Sequence, residues 1–354
     1  MKTLTVNLPG RSYDIILGNG LLSRPEQWFS RIGECRGPIM VVSDDQVWRH
    51  YGEAFVSACA RSDIEAASVI VAPGESSKSL DALNKLYQAF ASVNLNRDGL
   101  IVALGGGVVG DLAGFAAATW MRGVAYIQVP TTLLAQVDSS VGGKTALNLS
   151  YGKNIIGAFH QPQLVVIDPE TLKTLPPREI GCGLSEVIKY GSIRSAELFE
   201  TLEASTPSDL TETIFTCCAI KADIVVRDEF DHGDRVLLNF GHSFGHALES
   251  YYDYQRFNHG EAVGLGMIIA ARLGESLGLT EAGTGERIVG ALKANRLDTD
   301  IPCSPLDLLP RLAADKKSRG RDIQLVLLKK IGKAFVKPVS FEELEQTLRR
   351  MEER

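Results

Sequence analysis

Up to about residue 175, short apolar runs alternate with amphipathic stretches, and this alternation limits the fold more than any other feature. "PIMVVSD", "GLIVALGG", "VAYIQVPTT" and "QLVVIDP" read as strands, and "SLDALNKLYQAFASVNL" reads as a helix between two of them. Strands separated by helices form a mostly parallel sheet with helices on both faces. "LKTLPPREI" ends the pattern, because the paired prolines 176 and 177 favour an extended linker. Beyond it, "SEVIKYGSI", "LTETIFTCCAIKADIVVRDEF", "GHALESYYD" and "GEAVGLGMIIAARLGESLGL" carry apolar residues at the three-and-four spacing of helices. The expected architecture is an α/β domain over residues 1–177, mostly parallel in its sheet, followed by a mainly α-helical domain over 178–354. A chain of 354 residues exceeds what a single core ordinarily serves. Hairpins are expected in "MKTLTVNLPGRSYDIILG", turning at Pro9 and Gly10, and in "IQLVLLKKIGKAFVKPV". "SFEELEQTLRRMEER" places Ser340 three residues before Glu343 and should close the chain as a capped helix.

The formal charge of −6 argues against a nucleic-acid or anionic-membrane partner, since phosphate-backbone affinity is built from excess Lys and Arg. The N-terminus lacks the continuous apolar core of a signal peptide, and no stretch approaches the length of a membrane span. Six cysteines (35, 59, 182, 217, 218 and 303) show no C-x-x-C spacing, which indicates neither a zinc knuckle nor a disulfide framework; a reducing cytoplasm is the simplest setting.

"GLIVALGGGVVGDLAGFAAATW" puts Gly105, Gly107 and Gly110 in a G-x-G-x-x-G frame between a strand and a helix. Glycines there let the backbone approach a diphosphate, whose charge meets the amides and dipole of the helix N-terminus. A dinucleotide is therefore expected, in a variant of the Rossmann arrangement. The acid usually found about 20 residues on is replaced by "VPTT", and the candidate for the ribose hydroxyls is Asp44, at the end of an earlier strand. The loops "PGESSK" (73–78), "PTT" (130–132) and "TLKT" (171–174) are further ligand-holding positions of an open sheet.

Three of the six histidines, His242, His246 and His259, fall within eighteen positions among glycines. A helix brings His242 and His246 to one face, and His259 would complete a nitrogen-donor set for a divalent metal with an open position. Glu186, Glu249 and Glu261 all compete as the carboxylate ligand, and spacing does not choose between them. Single basic residues in "TWMRG", "GGKT", "YGKN", "EVIKYG", "AIKAD", "GDR" and "ADKK" would, if they converged, bind a substrate bearing phosphate and carboxylate.

From roughly residue 40 to 330, "GGGVVGDLAGFAAATWMRG", "IQVPTTLLAQVDSSVGGKTALN", "YGKNIIGAFHQP", "LKTLPPRE", "GLSEVIKYG", "LLNFGHSFGHALE", "HGEAVGLGM" and "DKK" resemble the 3-dehydroquinate synthase family in order and interval. The resemblance implies an N-terminal NAD domain and a C-terminal helical metal domain. It implies zinc (or cobalt) held by Glu186, His242 and His259, with His246 as an active-site histidine. It implies NAD contacts from Asp44, Glu75, Lys78, Gly106, Gly107, Val108, Asp111, Thr131, Thr132, Lys153, Thr174 and Glu179, with Thr171 in the same loop as Thr174. Arg122, Asp138, Lys144, Lys153, Asn154, Lys189, Lys221, Arg235, Lys316 and Lys317 match positions lining the substrate pocket. The implied reaction converts 3-deoxy-D-arabino-heptulosonate 7-phosphate to 3-dehydroquinate and phosphate through transient oxidation by NAD, phosphate elimination, re-reduction and an intramolecular aldol closure. A homodimer is implied as well. The chain departs from the family's usual wording at Ala146, Asp231 and Ser243, none of them an implied metal ligand or pocket lysine. The competing readings are a sibling sugar-phosphate cyclase with another substrate, a metal-dependent polyol dehydrogenase, and a binding protein without turnover. Lys144, Lys153 and Lys189 argue against the last.

Overall fold

The computed structural model describes residues 1–33, 35–315 and 322–353, without the side chains of 314 and 315. The chain divides into two compact units: Met1–Pro176 with Lys221–Val226, and Pro177–Ile220 with Arg227–Arg354.

The first unit is built on a seven-stranded sheet. Its strands are β1 (Lys2–Val6), β2 (Tyr13–Leu17), β3 (Ile39–Asp44), β4 (Ala66–Val71), β5 (Leu100–Gly105), β6 (Ala125–Pro130) and β9 (Leu164–Ile167), in the order β1-β2-β9-β6-β5-β3-β4. β1 and β2 form the expected hairpin and pair antiparallel, while every other neighbouring pair is parallel. Successive residues of one strand serve opposite cores. Met40, Val42, Ile101 and Ala103 pack with α4 (Leu80–Ser92) and α5 (Gly107–Thr119). Val41, Val102 and Leu104 pack with Trp28 of α1 (Glu26–Phe29) and Phe55 of α3 (Glu53–Arg61). Burial on both faces is why these strands read as unbroken apolar runs. Asp44 caps the short α2 (Asp45–Val47). A separate antiparallel hairpin joins β7 (Lys144–Leu149) to β8 (Gly152–Phe159).

Prolines 176 and 177 make less of a linker than expected. A 3-10 turn runs over Pro169–Thr174, Leu175 is extended, and Pro177 already opens α6 (Pro177–Arg194). Proline's fixed φ suits a first helical turn, where its missing N–H costs nothing.

The second unit contains α6, α7 (Ala196–Ala204), most of α8 (Thr211–Arg227), α9 (His242–Tyr251), α10 (His259–Ser276), α11 (Thr284–Ala294), α12 (Leu309–Asp315) and α13 (Phe341–Glu352). The expected hairpin is β10 (Asp322–Lys330) with β11 (Lys333–Ser340), and Ser340 caps α13 by accepting the Glu343 N–H at 3.1 Å. Most of α10 is buried, and it packs on α6, α9, α11, α13 and β10. Its backbone touches α9 so closely that a Cβ on Gly266 would lie 2.0 Å from the carbonyl oxygen of Gly241. That contact fixes where α9 starts, and so fixes His242.

Candidate functional site

Three helices of the second unit each bring one donor to a common point. Glu186 lies within α6, while His242 and His259 are the first residues of α9 and α10. Glu186 Oε1 is 3.5 Å from His242 Nε2 and 3.6 Å from His259 Nε2, and the three donor atoms lie within 4.8 Å of one another. Glu186 is fully buried, and its Oε2 meets the equally buried Lys189 Nζ at 2.5 Å. His242 turns Nδ1 toward the carbonyl oxygen of Phe240, 3.3 Å away, so its Nε2 faces the carboxylate.

The three carboxylates that competed in the sequence now separate. Glu261 belongs to a capping box: its N–H donates to Asn258 Oδ1 at 2.9 Å, and its Oε2 accepts the Asn258 N–H at 2.8 Å. Both of its oxygens also accept from Arg178, at 2.7 Å each. Glu249, buried on α9, stands on the far side of His259, with Oε2 3.8 Å from Nδ1. His246 is exposed one turn along α9, its ring 5.5 Å from that of His242 and 5.8 Å from that of His259. With Glu249 and His259 it forms a second group of metal-capable donors.

Electrostatics distinguish His242 from His259. Burial holds His242 neutral, well below the usual imidazole range. Burial would lower His259 too, but Glu186 and Glu249 outweigh it and push this residue up. Two carboxylates thus flank the His259 ring, Glu186 toward Nε2 and Glu249 toward Nδ1. Two imidazoles and one carboxylate make a donor set for a catalytic metal with an open position.

In the first unit the glycine turn carries α5. Gly106 occupies the N-cap position without a side-chain bond, leaving first-turn amides for a ligand, and Gly107 and Val108 begin the helix. Asp44 Oδ1 accepts the N–H groups of Gln46 and Val47 at 2.8 and 3.0 Å. Glu75, Lys78, Asp111 and Asn154 form one cluster. Lys78 Nζ, buried, donates to Asp111 Oδ2 at 2.7 Å and to Asn154 Oδ1 at 2.5 Å, with Glu75 at 3.7 Å. Burial pushes the Asp111 carboxyl up, against the opposing pull of Lys78. Thr131, just after β6, has a buried hydroxyl with no hydrogen-bond partner among the described residues, a group able to meet a ligand. Thr132 Oγ1 accepts the Ala135 N–H at 3.2 Å, and Thr174 Oγ1 lies 2.6 Å from the Tyr51 hydroxyl. The Thr171 hydroxyl is engaged internally, with Asp168 O at 2.8 Å and Gln136 Nε2 at 2.9 Å. Glu179 stands in the first turn of α6, in the second unit.

The basic residues fall into separate groups. The β7–β8 hairpin, which the sequence did not announce, carries Lys144, Lys153 and Asn154. Lys144 pairs with Phe159 at one end, and Lys153 lies beside the turn at the other. Asn154 thus goes with the Lys78 cluster, while Lys144 stands at the other end of the hairpin. Asn154 and Arg122 have φ of 56° and 68°, left-handed values that cost non-glycine residues about 1–3 kcal/mol and cluster at functional positions. Lys221 Nζ pairs with Asp138, 2.9 Å from Oδ1 and 2.6 Å from its carbonyl oxygen. In the second unit Arg235 is buried and donates to Glu229 O at 2.8 Å. Lys316 and Lys317 lie outside the described residues.

The chain matches known proteins along nearly its whole length. The N-terminal profile of the 3-dehydroquinate synthases matches residues 68–182, and the C-terminal profile matches 183–318. A curated 3-dehydroquinate synthase of Clostridium acetobutylicum is 43% identical over 357 aligned positions, covering 99% of each chain. Among solved structures, a 2-deoxy-scyllo-inosose synthase complexed with carbaglucose-6-phosphate, NAD+ and Co2+ superimposes with a TM-score of 0.88 at 26% identity, covering 99% of both chains. A 2-epi-5-epi-valiolone synthase from Streptomyces hygroscopicus, with NAD+ and Zn2+ bound, gives 0.86 at 28% identity, covering 98% of this chain and 99% of the other.

Proposed function

The chain belongs to the 3-dehydroquinate synthase family, and from that premise we propose that it converts 3-deoxy-D-arabino-heptulosonate 7-phosphate to 3-dehydroquinate and phosphate, using NAD and a zinc or cobalt ion. The observation that carries the reading is the buried trio of Glu186, His242 and His259, whose donor chemistry suits a Lewis-acidic ion. When bound, the ion polarises the substrate hydroxyl while NAD removes and later returns its hydride, so that net redox change is zero.

The chain's own residues bind and orient. The first-turn amides of α5 receive the diphosphate of the nucleotide, Asp44 takes the ribose hydroxyls, and Thr131 supplies a hydroxyl that has no other partner among the described residues. Glu75, Lys78, Asp111 and Asn154 hold one another and brace that side, with Thr132, Thr174 and Glu179 as further contacts. Arg122, Lys144, Lys153, Lys189, Lys221 and Arg235 bind the phosphate and carboxylate of the substrate through charge-assisted hydrogen bonds. Lys316 and Lys317 are assigned the same task from the family's pattern alone. His246, exposed beside the trio, is the group suited to hold the departing phosphate and to move a proton there. Holding a substrate so that elimination outpaces side reactions is itself the main catalytic work. A division of labour near residue 177, a homodimer and a cytoplasmic setting belong to the same proposal; all six cysteines are free thiols, as a reducing compartment requires. Among the described residues no helix is long and apolar enough to cross a membrane.

A sibling cyclase is the competing reading, since two solved neighbours make other carbocycles. The higher identity and full coverage of the curated dehydroquinate synthase favour dehydroquinate as the product. The test is a phosphate-release assay with product identification on the heptulosonate phosphate and on a hexose 6-phosphate, with and without chelator. Release of phosphate and 3-dehydroquinate from the former alone, abolished by chelator, is expected; turnover of the hexose phosphate alone would overturn the assignment.

A further inference from the structure

We propose that Glu249 is a positioning residue of the metal centre: when the ion is bound, its carboxylate, 3.8 Å from Nδ1 of His259 in this structure, closes on the Nδ1 proton and so holds the tautomer that aims Nε2 at the ion. This role depends on a metal bound by Glu186, His242 and His259. The two nitrogens of His259 face two different carboxylates, Nε2 toward Glu186 at 3.6 Å and Nδ1 toward Glu249 at 3.8 Å. A neutral imidazole carries a single N–H, so only one of its nitrogens can serve as a metal ligand. His242 has the same design with a different acceptor, its Nδ1 facing the carbonyl oxygen of Phe240 at 3.3 Å. Each ligand ring thus has an oxygen behind it and Nε2 in front.

Glu249 is itself enclosed, with a relative exposure of 6%. Glu249 lies seven residues after His242 on α9, two turns along the same helical face. The helix that delivers one metal ligand therefore also delivers the acceptor that orients the other. Acceptors of this kind turn and polarise ligand imidazoles, and their removal lowers metal affinity by about 10–100-fold. The alternative assignment, in which Glu249 binds the ion directly with His246 and His259, makes the opposite prediction for an isosteric amide.

The experiment measures Zn2+ affinity of the full chain by competition with a chromophoric chelator, in wild type, Glu249→Ala, Glu249→Gln and His242→Ala. Glu249→Ala should bind about 10–100-fold more weakly. Glu249→Gln should recover most of the loss, because an amide oxygen still accepts the Nδ1 proton. In the zinc-loaded protein, proton–nitrogen correlation spectra should show an exchange-protected Nδ1–H on His259 that shifts in Glu249→Gln. Unchanged affinity in Glu249→Ala, or an unshifted His259 proton in Glu249→Gln, overturns the proposal. So does a Gln variant as weak as His242→Ala, which would make the carboxylate a ligand. If His242→Ala itself binds zinc as wild type does, the metal assignment fails instead.

Discussion

Replacing Gly260 with alanine puts a methyl group where the first turn of α10 meets α6. The added Cβ would lie 2.3, 2.5 and 2.7 Å from the O, Cα and C atoms of Cys182. All three are backbone atoms, so no rotamer change relieves the overlap. Restoring ordinary contact requires the start of α10 to withdraw by roughly 1 Å, and it weakens the hydrogen bond from the Gly260 N–H to Cys182 Sγ, now 3.2 Å. Alanine improves a helix by about 0.5–1 kcal/mol relative to glycine, but overpacking costs about 1–3 kcal/mol, so the clash wins. His259 is the adjacent residue and moves with the turn, away from Glu186. Metal sites tolerate errors of only about 0.2 Å in ligand distance; zinc affinity should fall at least about tenfold, or 1.4 kcal/mol. Chelator competition and thermal denaturation read the two effects. Gly290→Ala in α11, where the new methyl group meets nothing within 4 Å, is the control, and should stabilise by about 0.5–1 kcal/mol. A Gly260→Ala protein with wild-type zinc affinity and wild-type midpoint would refute the claim that this backbone contact sets the metal geometry.

Lys144→Ala should leave NAD and zinc bound while abolishing phosphate release, measured by cofactor retention and a phosphate assay on one sample. Lys78→Met removes the cation facing the largely buried Asp111, and should destabilise by on the order of 3 kcal/mol in urea denaturation, with part of the loss recovered in the Lys78→Met/Asp111→Asn double variant. Burial holds His160 below the usual imidazole range, beside the Tyr126 ring at 5.2 Å. The unfolded chain therefore takes up that proton first as pH falls, and stability drops from about pH 6.5 downward toward the depressed folded value. Denaturation midpoints at pH 7 and pH 5 should differ less in His160→Gln than in wild type.

The strands β3, β5, β6 and β9 were legible in the sequence because both of their faces are buried. The β7–β8 hairpin was not. Most of β8 is exposed, so "GKNIIGAF" has no apolar periodicity to read, although it carries Lys153 and Asn154. Spacing alone could not show which carboxylate meets His242 either, since Glu186 reaches the histidines only through helix contacts set by backbone approaches such as Gly260 on Cys182. One rejection was nonetheless written there: Asn258 and Glu261 in "NHGE" carry the spacing of a capping box, which removes Glu261 from the competition. The role proposed for Glu249 left no local signal, because its counterpart, His259, is on another helix.

In the proposed reaction one hydroxyl is oxidised and then restored in the same turnover. Phosphate release and the absorbance of reduced nicotinamide, followed together with substrate in large excess over NAD, test this most directly. Many phosphates per NAD should appear without lasting NADH, stop on addition of chelator and resume with zinc. NADH accumulating in step with product would contradict it.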